Sequence, residues 1–196
     1  MMNSKIARDY RKLTEQVMAD ARYQKNIEFE YDRPQAGHPE GKVKYHIAEL
    51  EANLEQLKRR LTNEEDYWKL KFLTHVHDTF KAEASTEGVP ADDPRSHESL
   101  ARAFASEFTN DIDLLNIIQY HDENYTLWKR FKSTGQYDSE WLQYLLNTIH
   151  DWDLFLIFTI IDGHTTGKDI EKLAWFIGEV RKYKRTIVDE SWVSLA

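Results

Sequence analysis

The sequence predicts an all-α protein that folds as a compact helical bundle. Apolar side chains recur at helical spacing through most of the 196 residues, and only 7 Gly and 4 Pro are present, which is few for a β-sandwich. Hydrophobic residues make up 41% of the chain and charged residues 31%, an ordinary globular composition. A chain of this length can enclose one hydrophobic core.

The N-terminal part is expected to form a helix over 5–23. It is followed by IEFEY, an alternating segment that could be extended, and by the turn-rich linker DRPQAGHPEG. No domain boundary is evident after this linker. We therefore expect residues 1–41 to form a helix and arm that pack on a main domain spanning 42–196.

The main domain is predicted to be helical throughout. Apolar residues over 42–61 step by four and three, which makes one stripe along a helix. Asn63 then caps a helix with an acidic first turn that runs to about Lys81. The remaining helices are predicted at 96–108, 111–121, 139–150, 152–162 and 167–188. Between the second and third of these main-domain helices lies a thirteen-residue loop, 82–94, and loops of that length in compact domains are often functional.

Composition and charge limit the function. The net charge of −8 argues against general nucleic-acid binding, which needs a basic face. The chain has no Cys, so any metal would be bound by His and carboxylate side chains. The charged N-terminus does not resemble a signal peptide, and the longest apolar run, LFLIFTII, is too short to span a bilayer. We expect a cytoplasmic protein without membrane contact.

The segment THVHDTFK raises the question of a metal site. In a helix, His75 and His77 lie about 200° apart and cannot share a metal from one helix face. An HxH metal clip would need a strand, which nothing around this segment predicts. His77 faces the apolar side of its helix, and Lys81 lies on the same face one turn later.

Similar residues recur elsewhere at the ends of apolar runs, where a carboxylate is costly unless it is paired or bound to a metal. His46 lies on the apolar stripe of its helix, and His97 opens a helix just after the long loop. The runs end at His77 and Asp78, at His121 and Asp122, and at Asp162.

These motifs resemble a known pattern. YHIAEL, HDTFK and IIDGH, in that order, are similar to the H…HD…D pattern of the HD-domain superfamily of metal-dependent phosphohydrolases, and HDTFK matches its H-D-x-x-K form. The similarity covers about 42–184 and implies an HD-domain-like bundle. With two further histidines, His97 and His121, the series resembles the H…HD…H…H…D pattern of binuclear members. The resemblance implies one ion held by His46, His77, Asp78 and Asp162, and a second held by His97 and His121 with Asp78 bridging.

The activity that the resemblance implies is hydrolysis of a phosphate ester or anhydride in a nucleotide-like small molecule. One or two divalent ions per chain (Mn, Fe, Co, Ni, Zn or Mg) would lower the pKa of a bound water and so generate hydroxide. Asp78 and Lys81 would be catalytic, and Lys81 would contact the substrate phosphate or order the acidic side chains around it. From charge alone, the basic run containing Lys129 and Arg130 could neutralise the phosphoryl oxygens.

Several alternatives stay open at this point. Some HD-fold proteins with the same six ligand types are mixed-valent di-iron oxygenases, and others could be non-catalytic binding modules. The basic run could be a solvated helix face, and Asp122 is placed in a second shell or on the surface. The apolar stripe of the N-terminal helix and the tail ESWVSLA could cover a subunit interface in a homo-oligomer or simply pack on the parent domain. The histidines expected to lie outside any site are His38, His75, His150 and His164.

Overall fold

A computed structural model of the chain describes residues 9–30, 41–84 and 89–194. These residues form ten α-helices and two short 3-10 helices, and their only β structure is an isolated antiparallel bridge between Glu30 and Lys42. The predicted all-α fold is confirmed. The start of the predicted N-terminal helix, most of the linker with His38, the middle of the long loop and the last two residues lie outside the described residues.

The α-helices follow one another along the chain with short connections, apart from the two segments noted above. They are α1 (Tyr10–Ala19), α2 (Ala21–Asn26), α3 (Val43–Leu57), α4 (Glu64–Val76), α5 (His97–Ser106), α6 (Ile112–Tyr120), α7 (Glu123–Thr134), α8 (Ser139–Thr148), α9 (Trp152–Gly163) and α10 (Glu171–Arg181). The 3-10 helices are Lys58–Arg60 and Glu190–Val193. None of the described helices is both long and apolar enough to cross a membrane.

Side-chain caps fix where most of these helices begin. The predicted cap Asn63 accepts a hydrogen bond from the backbone N–H of Asp66 at 2.8 Å, and Ser96 caps α5 by accepting from the N–H of Ser99 at 3.0 Å. Such caps satisfy backbone donors that have no partner inside the helix. Aspartates cap α1, α2, α6, α8 and α9 in the same way.

The centre of the molecule is α9, whose sequence WDLFLIFTIIDG is buried on nearly every side. Helices α3, α4 and α10 pack directly against it, α1 packs on α4, and α5 packs on α6. A helix that is apolar all round belongs in a core. Asp162, near the C-terminal end of α9, therefore lies in the interior with the rest of that helix.

The predicted helices differ from the structure in several places. The last one, predicted over 167–188, is α10, which begins at Glu171 and ends at Arg181. The N-terminal helix breaks at Asp20, because that side chain caps α2. Helix α4 ends at Val76 instead of continuing to Lys81, and the residues after it form turns. Helix α7 was not predicted at all. Its sequence ENYTLWKRFKST has no continuous apolar stripe, and Leu127 is its one buried apolar side chain.

Candidate metal centre

Five segments of the chain bring seven histidine and aspartate side chains together in the interior. One histidine comes from the buried face of α3, a His-Asp pair follows α4, another histidine begins α5, a second His-Asp pair follows α6, and an aspartate lies near the end of α9. These include all six residues that the sequence analysis named as ligands. The side chains are His46, His77, Asp78, His97, His121, Asp122 and Asp162.

The first group contains His46, His77, Asp78 and Asp162. Nε2 of His46 lies 3.1 Å from Oδ1 of Asp162 and 3.4 Å from Oδ2 of Asp78. Nε2 of His77 lies 3.8 Å and 3.5 Å from the same two oxygens. Donor atoms bound to one ion at about 2.1 Å lie roughly 3.0–3.5 Å apart in tetrahedral or octahedral geometry. The spacing of the first group is therefore close to that of a single metal site.

The second group lies on the other side of Asp78. Oδ1 of Asp78 is 3.4 Å from Nε2 of His97 and 3.3 Å from Nε2 of His121. Oδ2 of Asp122 lies 3.7 Å from each of the same two nitrogens. Asp78 thus presents one oxygen to each group. Asp122 faces the second group, although the sequence had suggested a second-shell or surface position for it.

In His77 and His121, a hydrogen bond at Nδ1 fixes Nε2 as the ring nitrogen that faces the two groups. Nδ1 of His77 is 3.2 Å from the carbonyl oxygen of Leu73, and Nδ1 of His121 is 2.9 Å from that of Ile118. Because a carbonyl oxygen only accepts, each Nδ1 carries the proton and donates it. A ring that is protonated at Nδ1 alone presents Nε2 as a lone pair, which is the form that binds a metal.

The atoms that face the groups lack hydrogen-bond partners among the described residues. These buried atoms are Nε2 of His77, His97 and His121, and Oδ1 of Asp78. An unsatisfied buried polar atom costs about 1–3 kcal/mol. In addition, the lone pair of a neutral His121 faces the carboxylate oxygen of Asp78, an arrangement that is repulsive unless a proton or a metal ion lies between them. These buried groups can hold a metal ion.

The pKa values of these side chains in the metal-free protein are shifted by burial and by the nearby charges. Burial lowers the pKa of His77 to about 3. Burial would also lower the pKa of His121, but the negative charges of Asp122 and Asp78 outweigh it and raise the pKa to about 10. Burial opposes ionisation of Asp78, yet the nearby charge of Lys81 brings its pKa well below the usual range. Burial also opposes ionisation of Asp162, yet the nearby charge of Lys168 brings its pKa well below the usual range. The carboxyl groups of Asp78 and Asp162 are therefore ionised.

Two lysines bind the carboxylates of the first group. Nζ of Lys81 donates a hydrogen bond to Oδ2 of Asp78, so the lysine of the HDTFK motif lies at the site. Nζ of Lys168 donates to both oxygens of Asp162 at 2.6 Å. The sequence did not predict that Lys168 lies at the site. The sequence feature that could have indicated it is Gly167, whose positive φ of 83° turns the chain back towards the end of α9.

An open cavity of about 520 Å³ adjoins the metal-binding groups, with Asp122 and Lys168 in its lining. Helix α7 supplies much of its wall, including Tyr125, Trp128 and Lys129. Arg130, the other predicted substrate-binding residue of this helix, is absent from the lining. Its guanidinium lies 3.2 Å from the carboxylate of Asp138 and is largely exposed. The cavity is in the size range of small-molecule sites.

Three other histidines lie outside the centre, as expected. Nδ1 of His75 is 2.6 Å from the hydroxyl of Tyr23, and its Nε2 is 3.2 Å from Oε1 of Glu51. His75 therefore points away from His77, which confirms that the two do not form an HxH clip. Each of the other two has its own partner: His150 contacts Asp113 and His164 contacts the carbonyl of Val193.

Comparison with known proteins adds no relative to this description. No protein-family model matches the chain, and neither does any curated protein or solved structure. A metal centre is therefore indicated by the chemistry and geometry of the chain's own side chains.

Proposed function

We propose that the protein is a metal-dependent phosphohydrolase of the HD-domain type that cleaves a phosphate ester or anhydride in a nucleotide-like small molecule. One observation carries the proposal: buried Nε2 atoms of His77, His97 and His121, which have no hydrogen-bond partner among the described residues, converge on the two sides of Asp78. In the proposal His46, His77, Asp78 and Asp162 hold one divalent ion. His97, His121 and Asp122 hold a second, and Asp78 is shared.

The side chains around these groups fit phosphoryl transfer to water. When bound, the ions supply positive charge and a water of lowered pKa. Asp78 keeps the two groups at a fixed separation, since it is buried and ionised. The ammonium of Lys81 lies beside the same carboxylate, where it can contact a substrate phosphate and offset the charge that develops on the phosphoryl oxygens.

The adjoining cavity supports a nucleotide-like substrate. Tyr125 and Trp128 offer flat aromatic faces on which a base can stack, a contact worth about 1–3 kcal/mol. Trp128 is held in place by packing against Trp175, with ring centres 5.4 Å apart. Lysines from α7 and α10 line the same space, so a phosphate and a ring could be held together.

Metal analysis of the purified protein tests the proposal. We expect up to two divalent ions per chain in the wild type and their loss in Asp78→Ala, because both groups share that carboxylate. His150→Ala is the matched control, since this histidine is 66% exposed and distant from the centre in its contacts. Its metal content should equal that of the wild type. The wild type should then release phosphate from nucleotides in the presence of Mn or Co.

Other results would point elsewhere. Tightly bound iron with an aerobic optical spectrum that changes on reduction would favour the di-iron oxygenase. Absence of metal from the wild type after reconstitution would contradict the proposal and leave a helical binding module. Equal loss of metal in Asp78→Ala and His150→Ala would show that the loss does not come from this site.

A further inference from the structure

One lysine in the cavity beside the metal-binding groups is buried without an acidic partner. Lys172, in the first turn of α10, is only 5% exposed, and no carboxylate of the described residues lies within 4 Å of its ammonium. The two neighbouring lysines differ in this respect. Lys132 is paired with Asp169 at 3.0 Å, and Lys168 with Asp162 at 2.6 Å.

Lys172 is grouped with a second lysine around one aromatic ring. Its Nζ lies 5.5 Å from the ring centre of Tyr125, and Nζ of Lys129 lies 5.9 Å from the same centre. Lys129 also has no carboxylate within salt-bridge distance among the described residues. Both side chains line the cavity. In a chain with a net charge of −8, this makes a local positive site.

A buried ammonium without a partner is unfavourable in the free protein. Burial lowers the pKa of Lys172, and the more distant charges of Asp162 and Asp122 do not reverse the shift. Cation–π contacts with Tyr125 offset only part of this cost. An anion that entered the cavity would give Lys172 the partner that it lacks. The arrangement is therefore that of a preformed anion site, separate from the residues that hold the metals.

We propose that Lys172 and Lys129 bind a second phosphate of the substrate, next to the phosphate that lies at the metal-binding groups. The substrate class would then be nucleoside di- or polyphosphates, cleaved at a phosphoanhydride bond. This inference rests on the function proposed above. In the reaction, the oxygen of a water would bond to the phosphorus of the phosphate beside the His and Asp groups, and the bridging oxygen would leave with the phosphate held by the lysines. The proton that water loses passes to the solvent.

Binding to the metal-free full-length chain tests the anion site without turnover. The probes are inorganic tripolyphosphate, ATP and adenosine, measured by titration calorimetry. We expect tripolyphosphate and ATP to bind and adenosine to bind at least tenfold more weakly. Lys172→Met should weaken tripolyphosphate binding by about tenfold or more, as expected for loss of a charged hydrogen bond. Lys182→Met is the control, because Lys182 follows the same helix but pairs with Glu179.

Thermal unfolding separates a binding role from a structural one. Lys172→Met replaces a buried ammonium by an apolar chain of similar length, so its unfolding midpoint should be equal to or above that of the wild type. Unchanged tripolyphosphate binding in Lys172→Met would overturn the inference. Weaker binding together with a lower unfolding midpoint would also overturn it, because a damaged fold would explain both.

The proposed anion site and the proposed hydrolase activity can be contradicted independently of each other. Binding of tripolyphosphate that depends on Lys172, without phosphate release under any metal, would support the anion site and contradict the hydrolase. Faster cleavage of AMP than of ADP, with no effect of Lys172→Met on KM, would contradict the anion site and leave the hydrolase intact.

Discussion

Among single residues, Asp122 determines how complete the second group of potential metal ligands is. Its carboxylate retains 39% exposure towards the cavity, while Oδ2 faces the histidines of the group at 3.7 Å. We expect Asp122→Asn to weaken binding of one ion by about tenfold or more and to leave the other ion bound, because the first group does not use this side chain.

Titration of the metal-free protein with Mn²⁺, with the bound metal counted per chain, measures this effect. Asp113→Asn is a suitable control, since Asp113 lies in the first turn of α6, at the opposite end of the helix that precedes Asp122, and contacts His150. Retention of both ions at wild-type affinity in Asp122→Asn would return this residue to the surface role that the sequence suggested.

Single residues also show what the sequence could and could not predict about the site. His77, Asp78 and Asp162 stood out because each ends an apolar run, where a polar side chain needs a partner. Lys168 and Lys172 gave no such signal, because lysine in a helix or turn is ordinarily a solvated residue. The role of Lys172 depends on which side of α10 faces the cavity, and that of Lys168 depends on the path of the chain between α9 and α10. Both are fixed by tertiary packing.

At the scale of elements, the contact between α9 and α10 is close at Gly163. A Cβ added there would lie 2.6 Å from Cδ2 of Leu173, which is fully buried and has little room to move. Gly163→Ala should therefore destabilise the protein by about 1–3 kcal/mol through overpacking. The steric conflict should also shift the neighbouring Asp162, which is a ligand candidate. Denaturant unfolding measures the loss.

Gly178→Ala, in the middle of α10, is the matched comparison. Nothing lies within 4 Å of its added Cβ, so the substitution should stabilise the protein by up to about 1 kcal/mol through helix propensity. Equal stabilisation by both substitutions would show that α9 and α10 are not packed closely at Gly163.

The elements that the sequence predicted well have a clear apolar pattern. Apolar side chains repeat along one face of α3, whereas α9 is apolar nearly all round, and both helices lie within a few residues of their predicted positions. Helix α7 has no such pattern, because it exposes one side to solvent and another to the cavity. Its aromatic and basic residues were therefore interpreted as a charged segment. That Lys129 lines the cavity and Arg130 does not could not be predicted from the sequence.

At the scale of the whole molecule, the centre joins parts of the chain that are far apart in sequence. The ligand candidates belong to α3, to the turns after α4 and α6, to the start of α5 and to the end of α9. The order of these residues suggested the grouping, but their distances depend on how α3 and α4 pack on α9. That packing results from the complementary shapes of many side chains, which a motif does not contain.

Because the centre connects so many elements, metal binding should stabilise the entire fold. In the metal-free protein the buried atoms around Asp78 lack partners, and a bound ion would satisfy them. A ligand at 100 times its Kd that binds only the folded state adds about 2.7 kcal/mol to the free energy of unfolding. For a domain of this size, that raises Tm by roughly 5–10 °C.

Calorimetric scans of the full-length chain with and without Mn²⁺ would measure this rise, with Asp78→Ala scanned under the same conditions. The variant should show no increase, since both groups lose their shared carboxylate. An increase of the same size in wild type and variant would mean that the ion stabilises the protein at some other place. No increase in the wild type would mean that the buried histidines and aspartates serve the fold without a metal, as neutral and charged partners of one another.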